Sequence, residues 1–419
     1  MLSELSVELI QEIADKLDKS DYANFRAVCK DLSFAMEPLF FSTIALSRQH
    51  LRLKNGQWFL KALASGQAGW SRYAKVLKFS RGNRIEIGEE PAGLSDTVMQ
   101  ELLTSALWSM MSIKTFIWEA HQGVPLWQTN VICDYLCALP SLEDLELIVE
   151  DVELPLDRFS RLRSFQITTP YWKECPMVQQ VSQLATQCSN LTILHVFGFT
   201  DWSELWLTLH RANVAQVKEI YTNVVTDHLL GYLASYCGIE KLSLYRPDIE
   251  SVAKSDRLAN IFFDTVVPQH AESLVKLACS APYESRWSFG THNMDLISNL
   301  LKLESLEMSV NEDDVVNVEP PLSAVDLLLR TVEHMPALRR LQVFSGVAQT
   351  RRNTRHGNPG IKHVNAMYFA ITATVKEFRS YNPSAAILCV NGRSYMLKPI
   401  STGSIAQENT LFGYFEVPT

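Results

Sequence analysis

The sequence predicts a mixed α/β protein in which repeated strand–helix units follow a short, all-helical segment. Three observations support this fold class. A short apolar strand motif recurs ten times, the gaps between motifs carry apolar residues at helical spacing, and residues 1–46 show helical spacing without the strand motif. Since each strand–helix unit must stack on its neighbour to cover its apolar face, we expect an open array.

Residues 1–46 predict three short helices. Apolar residues that share one face of the first helix are Leu5, Leu9, Ile10, Ile13 and Leu17. Ser6 stands just ahead of this run and can cap the helix. The second helix would carry Tyr22, Phe25, Val28, Cys29 and Leu32, and the third would run from Phe34 towards Ile44. A unit this small cannot bury all of its apolar groups, so we expect a partner to cover some of them.

The strand motif has the form apolar-x-x-apolar-x-apolar and begins after a linker at 47–72. Its first positions are Ala74, Ile113, Leu142, Leu162, Leu191, Val217, Ile239, Leu274, Leu303 and Leu338. Most intervals between motifs match the spacing of about 20–29 residues that is typical of leucine-rich repeats. Motif positions that usually hold leucine are occupied by other residues in several repeats, so we expect an irregular array.

The gaps between motifs predict helices. Apolar residues at helical spacing occupy 177–188, 227–237, 294–303 and 323–335, and each stretch ends just before the next strand motif. A doubly wound sheet is the alternative arrangement of strands and helices. Its strands would be longer runs of Val and Ile, buried on both faces, and the motifs here are shorter.

The C-terminal residues 346–419 depart from the repeat. A basic loop with Gly and Pro occupies 346–360, and Asn391–Gly392 predicts the turn of a β-hairpin. We expect this hairpin to cap the open end of the array. Arg351, Arg352 and Arg355 allow two interpretations: a solvated loop, or a group that grips a phosphate or an acidic degradation signal.

Residues 5–46 resemble the F-box. The family pattern begins Leu-Pro-x-Glu-(Leu/Ile) and continues through an Ile, a Leu-Asp and a Val-Cys-(Lys/Arg). Matching positions here are Leu5, Glu8, Leu9, Ile13, Leu17, Asp18, Val28, Cys29 and Lys30. Ser6 stands where the family usually has proline, and serine can cap the helix instead. The 37–40 run resembles the F-box tail of proteins abundant in filamentous fungi.

The resemblance implies docking onto the Skp-type adaptor and, through it, onto a cullin. It assigns adaptor binding to Leu5, Ser6, Leu9, Ile10, Ile13, Leu17, Val28, Cys29 and Lys30. The alternative is that this segment is only a helical cap on the repeats. The complete prediction is an F-box at 1–46, a linker helix or loop at 47–72, an irregular leucine-rich-repeat horseshoe (a solenoid) at 73–345, and a loop, hairpin and cap at 346–419.

Strand alternation predicts a binding face on the concave side of the repeats. Residues that would point away from the core are His195, Phe197, Tyr221, Tyr245, Gln342 and Phe344. Exposed aromatic rings on successive strands are typical of recognition surfaces, so we expect this face to bind an unknown protein target. In the alternative interpretation, the C-terminal segment folds over some of these rings.

Signatures of catalysis are missing from the sequence. The motifs of a nucleophile elbow, a phosphate-binding loop and a zinc hydrolase do not occur. The acidic run 312–314 lacks the Gly and the alternating ligands of a calcium loop, which favours a solvated loop. We therefore expect no cofactor, no metal and no enzymatic activity, although an enzyme with an unrecognised site in the repeats is an alternative.

Composition limits the classes of binding partner and the cellular compartment that we expect. A net charge of −8 and a pI of about 5.7 argue against a nucleic-acid binder. The sequence has no basic, apolar leader and no run of 18 apolar residues, so we expect no membrane association. The eight cysteines favour free thiols over disulfides or a metal, and a cytoplasmic or nuclear location.

Together these features predict a non-catalytic, substrate-recognition subunit of a Skp–cullin–F-box ubiquitin ligase. Two alternatives share much of the same sequence evidence. One is a scaffold that binds the adaptor outside ubiquitin transfer, and the other is a plain leucine-rich-repeat interaction module. The presence or absence of cullin in the purified complex distinguishes the first alternative from the ligase.

Overall fold

A computed structural model describes residues 5–82, 93–170, 172–212, 216–247, 251–316, 318, 323–349, 361–382, 386–390, 392–400 and 410–417. The chain divides into two compact units, Met1–Leu191 and Thr192–Thr419. The predicted loop residues Arg351, Arg352 and Arg355 and the turn residue Asn391 lie outside the described residues. No helix in the described part of the chain is long and apolar enough to cross a membrane.

The first unit combines helices with a parallel sheet. Its helices are α1 (Val7–Ala14), α2 (Tyr22–Ala27), α3 (Lys30–Phe40), α4 (Arg48–Arg52), α5 (Lys54–Ala64), α6 (Gly69–Tyr73), α7 (Asp96–Trp108), α8 (Leu126–Ala138) and α9 (Val178–Gln187), with 3-10 turns at Lys19–Asp21 and Leu156–Arg158. Its strands are β1 (Thr43–Ser47), β2 (Val76–Ser80), β3 (Thr115–His121), β4 (Asp144–Glu150) and β5 (Ser164–Thr168). Each strand pairs in parallel with the next one along the chain.

The second unit continues the same pattern and ends in antiparallel strands. Its helices are α10 (Ser203–Ala212), α11 (Asp227–Leu233), α12 (Val252–Ile261), α13 (Val267–Gln269), α14 (Met294–Ser298), α15 (Ala324–Val332) and α16 (Ile361–Glu377), with a π-helical turn at Phe262–Val266. Its strands are β6 (Ile193–Phe197), β7 (Glu219–Thr222), β8 (Lys241–Leu244), β9 (Lys276–Ala278), β10 (Ser305–Val310), β11 (Arg340–Ser345), β12 (Arg379–Ser380), β13 (Ile387–Val390), β14 (Arg393–Pro399) and β15 (Phe412–Val417). Strands β6 to β11 pair in parallel in chain order.

All ten predicted strand motifs coincide with strands β2 to β11. Each strand begins two residues after the first position of its motif, and every one of those first positions is buried. In the motif of β4, Leu142, Leu145 and Leu147 are all buried. The parallel strands β1 to β5 and β6 to β11 are ordered as in the chain, whereas a doubly wound sheet reverses its order at a switch point. The mixed α/β class and the stacked strand–helix arrangement are therefore confirmed.

Helix boundaries near the N-terminus differ from the prediction at two positions. Leu32 lies on α3 and not on the second helix, because α2 ends at Ala27 and α3 begins at Lys30. Ile44 lies in a strand and not in a helix, because Thr43–Ser47 pairs with β2 in parallel register. The sheet thus begins inside the segment that we predicted to be helical.

The predicted linker at 47–72 is mostly helical and joins β1 to β2. The indole Nε1 of Trp70 donates to the carbonyl of Thr43 at 3.1 Å, and its ring packs edge-on against Phe41 at 4.8 Å. Gly69 is required at this junction, since a Cβ atom there would collide with the ring of Phe41. On the other side, the guanidinium of Arg26 stacks 4.7 Å from Phe41. These contacts attach the first three helices to the start of the sheet.

The predicted hairpin is present at the C-terminal end of the second unit. Strand β13 pairs in parallel with β11 and in antiparallel with β14, and Gly392 has a φ of +79°, as the connecting turn requires. Strands β15 and β12 extend this antiparallel edge and were not predicted. Helix α16 precedes the edge and packs beside β15 and β11.

Candidate functional site

Five large apolar side chains on α1, on α3 and between α2 and α3 are exposed, and we call them the head surface. Val7, Leu9, Ile13, Val28 and Phe34 are 39%, 48%, 40%, 68% and 65% exposed. Apolar groups of this size are usually buried, and several exposed ones in one short segment are typical of an interaction surface. The head surface is a candidate docking site for this reason.

The opposite side of α1 is packed within the same unit. Ile10 forms a buried cluster with Leu32 and Ala35. The side-chain amide of Gln11 donates to the carbonyl of Ala35 at 2.9 Å and so fixes α1 on α3. Ile10 is therefore a core residue and is not available as a docking contact, contrary to its predicted role.

The remaining predicted docking residues have graded exposure. Leu5 and Cys29 are partly buried against the Ile10 cluster, and Leu17 is partly buried as well. Ser6 and Lys30 are exposed, and Ser6 Oγ accepts a 3.4 Å hydrogen bond from the amide of Leu9, which caps α1 as predicted.

Two members of the head surface were missing from the predicted docking set. Val7 was not singled out, and Phe34 was named only as part of the third helix, yet its ring faces outward. In the sequence, Phe34 lies two residues after Leu32, and helical geometry cannot place both on one face. That spacing was the available signal.

Four of the predicted target-binding residues come together in the second unit, and we call them the aromatic strip. His195 and Phe197 lie on β6, Tyr221 lies on β7, and Tyr245 directly follows β8. The rings of Phe197 and Tyr221 stack at 5.4 Å with an interplanar angle of 19°. The ring centroids of Phe197 and Tyr245 are 5.6 Å apart, and so are those of His195 and Tyr221. The strip is thus one continuous ring surface across three strands.

Charged side chains lie beside the aromatic strip. The carboxylate of Glu219 is 3.1 Å from Nε2 of His195 and accepts a 2.9 Å hydrogen bond from Lys241. Burial alone would raise the pKa of Glu219, but Lys241 and His195 together hold that pKa below its usual value. The guanidinium of Arg246 lies 5.4 Å from the ring of Tyr245. The strip therefore combines apolar rings with ionised groups at its margin.

Gln342 and Phe344 do not join the aromatic strip. Both lie on β11, and strands β9 and β10 separate them from β8. The residues in register between Ser243 and Gln342 are Ala278 and Glu307, which carry no rings. Alternation predicted the orientation of each residue correctly, but it could not show that the run of aromatic residues is interrupted.

The described residues contain few groups that are arranged for metal binding or nucleophilic chemistry. Among the described residues, no group of three or more His, Cys, Asp or Glu side chains is arranged to hold a metal ion. In the acidic run, Glu312 is 2.6 Å from Nδ1 of His363 and is thus engaged by a protein group. All eight cysteines are free. Burial raises the pKa of Cys133 to about 12, so this thiol is protonated at neutral pH.

Comparisons with known proteins give little further information. No family model and no curated protein matches the chain. Among solved structures, a TLR13–ssRNA13 complex is similar to 69% of this chain, with 14% identity and a TM-score of 0.28. The chain spans 45% of the length of that protein.

Proposed function

We propose that this protein is the non-catalytic, substrate-recognition subunit of a Skp–cullin–F-box ubiquitin ligase. The head surface would dock on the Skp-type adaptor, and the aromatic strip would hold a protein target. The observation that carries the proposal is the exposure of Leu9, Ile13 and Val28, three positions that match the F-box pattern. If the segment were only a cap for the repeats, these side chains would be expected to pack inward.

Docking on the head surface has a sufficient driving force. Burial of a Leu, Ile, Val or Phe side chain contributes about 1.5–3 kcal/mol, before the cost of association is subtracted. Leu9 and Ile13 lie one turn apart on α1 and present a short apolar ridge. Val28 lies between α2 and α3 and is 68% exposed, so it offers a further apolar side chain for docking.

Target binding is assigned to the aromatic strip because rigid aromatic rings are common anchors of protein interfaces. Its rings already pack against one another, so little side-chain entropy would be lost on binding. The protein would act by tethering, since a bound target meets the ubiquitin-conjugating enzyme at a high effective concentration. In this mechanism no residue of the chain performs the chemistry, and no cofactor or metal takes part.

The first experiment tests the head surface. We expect the double variant Leu9→Asp/Val28→Asp to bind a purified Skp-type adaptor at least about tenfold more weakly, because two buried charges would oppose docking. A control is Leu126→Asp/Leu301→Asp, which replaces two leucines outside the head that are 74% and 59% exposed. Affinities are measured with the full-length chain, and circular dichroism checks that each variant is folded.

Unchanged adaptor binding by Leu9→Asp/Val28→Asp, or an equal loss in the control, would contradict the docking assignment. A second measurement separates the ligase from an adaptor-bound scaffold. In a reconstituted system with adaptor, cullin and conjugating enzyme, we expect cullin to co-purify with the wild-type chain and the chain to be ubiquitinated itself. Adaptor binding without cullin would favour the scaffold.

A further inference from the structure

A group of basic side chains lies at the carboxyl ends of the first three strands, and we call it the strand-end cluster. Its members are Arg48, Arg81 and His121. Ser47 and Ser80 are paired at the ends of β1 and β2, so Arg48 and Arg81 are the next residues of adjacent strands. His121 is the last residue of β3. Nη2 of Arg48 donates to the carbonyl of Gly123 at 2.8 Å, which holds the guanidinium near the end of that strand.

His121 is buried, and its ring nitrogens are poorly satisfied. It is 7% exposed, and neither ring nitrogen has a hydrogen bond of good geometry within the described part of the chain, although the backbone of Glu119 lies near enough to raise the pKa of the ring. A buried polar group without a partner is unfavourable, and most such groups in folded proteins are satisfied by protein, water or ligand. The imidazole is therefore a buried polar group that a ligand could satisfy.

The strand-end cluster has more positive than negative charge. Arg52 lies one turn after Arg48 on α4 and adds a third guanidinium. Two carboxylates of the described residues face the cluster: Glu119 accepts a 2.8 Å hydrogen bond from the amide of Arg81, and Glu150 lies 3.4 Å from Nη1 of Arg81. Among the described residues, three guanidinium groups against two carboxylates leave one positive charge in excess, even with His121 neutral.

The electrostatics of the individual groups agree with this count. Burial lowers the pKa of Arg48, and its neighbours Arg52 and Arg81 lower it further. Burial also lowers the pKa of His121; the backbone of Glu119 opposes this shift, while Arg81 and Arg48 add to it. Both groups would be stabilised in their protonated forms by an added anion.

We propose that the strand-end cluster binds a phosphate monoester. A phosphate monoester carries a charge of about −1.5 to −2 at neutral pH and has three acceptor oxygens. The planar guanidinium groups of Arg48 and Arg81 suit bidentate contacts with such oxygens, and His121 can donate once it is protonated. A carboxylate ligand would supply only one negative charge and two oxygens.

Two sources share this chemistry: a phosphorylated serine or threonine in a protein, and a small free phosphate. The inference goes beyond the proposed function, because it involves neither the head surface nor the aromatic strip. A failure of adaptor docking would leave it intact, and its own failure would leave the ligase proposal intact.

The test uses the full-length chain with 13C-labelled histidine and follows the His121 ring by NMR, with His121→Gln to assign the signal. The probes are inorganic phosphate, a short peptide with one phosphoserine, and the same peptide without phosphate. We expect both phosphorylated probes to shift the His121 signal saturably and to raise the pKa of its ring. The unphosphorylated peptide should have no effect.

Two double variants locate the site. Arg48→Gln/Arg81→Gln should weaken binding of inorganic phosphate at least about tenfold, because both charge-assisted contacts are lost. The control Arg72→Gln/Arg161→Gln removes the same charge from exposed positions that precede β2 and β5, and it should bind as the wild type does. If the first variant does not fold, Arg48→Lys/Arg81→Lys keeps the charge but loses the planar fork, and it should bind several-fold more weakly than wild type.

The proposal is overturned if phosphate leaves the His121 signal unchanged, or if the arginine variants that fold bind phosphate as tightly as the wild type. A phosphopeptide that binds about tenfold more tightly than inorganic phosphate would support a phosphorylated protein as the source. Equal affinity for the two probes would support a small free phosphate. Both of these results support the site itself.

Discussion

In both units, one face of the strands points away from the helical core. The backbone of this open face is alike in the two units, but its side chains differ. In the first unit, residues in register across β2 to β5 are Lys78, Ile117, Glu146 and Gln166, a mainly polar row. In the second unit, the row across β6 and β7 pairs His195 with Tyr221, and the stacked ring of Phe197 lies beside it. One repeat architecture thus presents a polar face in one unit and an aromatic face in the other.

This difference shows which positions of the repeat are free to vary. The apolar motif residues face the helices and are buried in both units, so they specify the strand and its stacking. The alternate residues do not enter that core, and their chemistry can follow the ligand. Binding properties should therefore be sought at the alternate positions, one unit at a time.

The largest expected effect tests the contrast between the two faces of one strand. We expect Leu145→Ala on β4 and Leu242→Ala on β8 each to lower the free energy of unfolding by about 2–5 kcal/mol, because each leaves a cavity in the core. Their neighbours Glu146→Ala and Ser243→Ala should change it by no more than about 0.5 kcal/mol. Urea unfolding monitored by circular dichroism gives these values. Equal losses of unfolding free energy at the core-facing and open-face positions would contradict the distinction between the two faces.

An intermediate effect tests whether the rings of the aromatic strip act together. A double-mutant cycle on Phe197→Ala and Tyr221→Ala should give a coupling free energy of about 0.5–1.5 kcal/mol, as expected for stacked rings. The same cycle on Lys78→Ala and Ile117→Ala, which are also paired across strands, should give less than about 0.5 kcal/mol. Equal coupling in both units would mean that the strip is not a distinct surface.

The smallest expected effect concerns pH. The pKa of Glu219 is lower in the folded protein than in the unfolded chain, so its contribution to stability is present above the unfolded value of about 4.3 and is lost as pH falls through the folded value. Glu219→Gln should reduce the acid-induced loss of unfolding free energy by about 1 kcal/mol or less. The comparison is between urea unfolding at neutral pH and below about pH 4.

Glu146→Gln is the matched control for this measurement, since it removes a carboxylate from the open face of the first unit. We expect it to leave the acid response unchanged. An acid response in Glu219→Gln that equals that of the wild type would show that the contacts with Lys241 and His195 do not stabilise the carboxylate.

Much of the repeat body was predictable because its signal is local. The strand motif alternates over a few residues, and that alternation alone identified β2 to β11. Strand β1 was missed because Ile44 follows a helical run, and only its pairing with β2 makes it a strand. Strand β15 was missed for a similar reason: its partner β14 lies in a hairpin, and the pairing depends on contacts that are distant in sequence.

The candidate sites were only partly predictable. Leu9, Ile13 and Val28 were expected to be exposed and are, whereas Ile10 was expected to be exposed and is buried against Leu32. All four residues are apolar and lie in the same short segment. The way α1 packs on α3 decided which of them faces outward, and helical spacing alone does not contain that information.

By itself, the sequence determined where strands and helices alternate and which side of each strand is apolar, because these properties depend on the period of neighbouring residues. Tertiary structure alone decided which residues meet across strands. It stacked Phe197 on Tyr221, left Gln342 apart from them, and brought Arg48 and Arg81 to the end of the strand that carries His121. These contacts depend on strand register and helix packing, which are set by residues far apart in the chain.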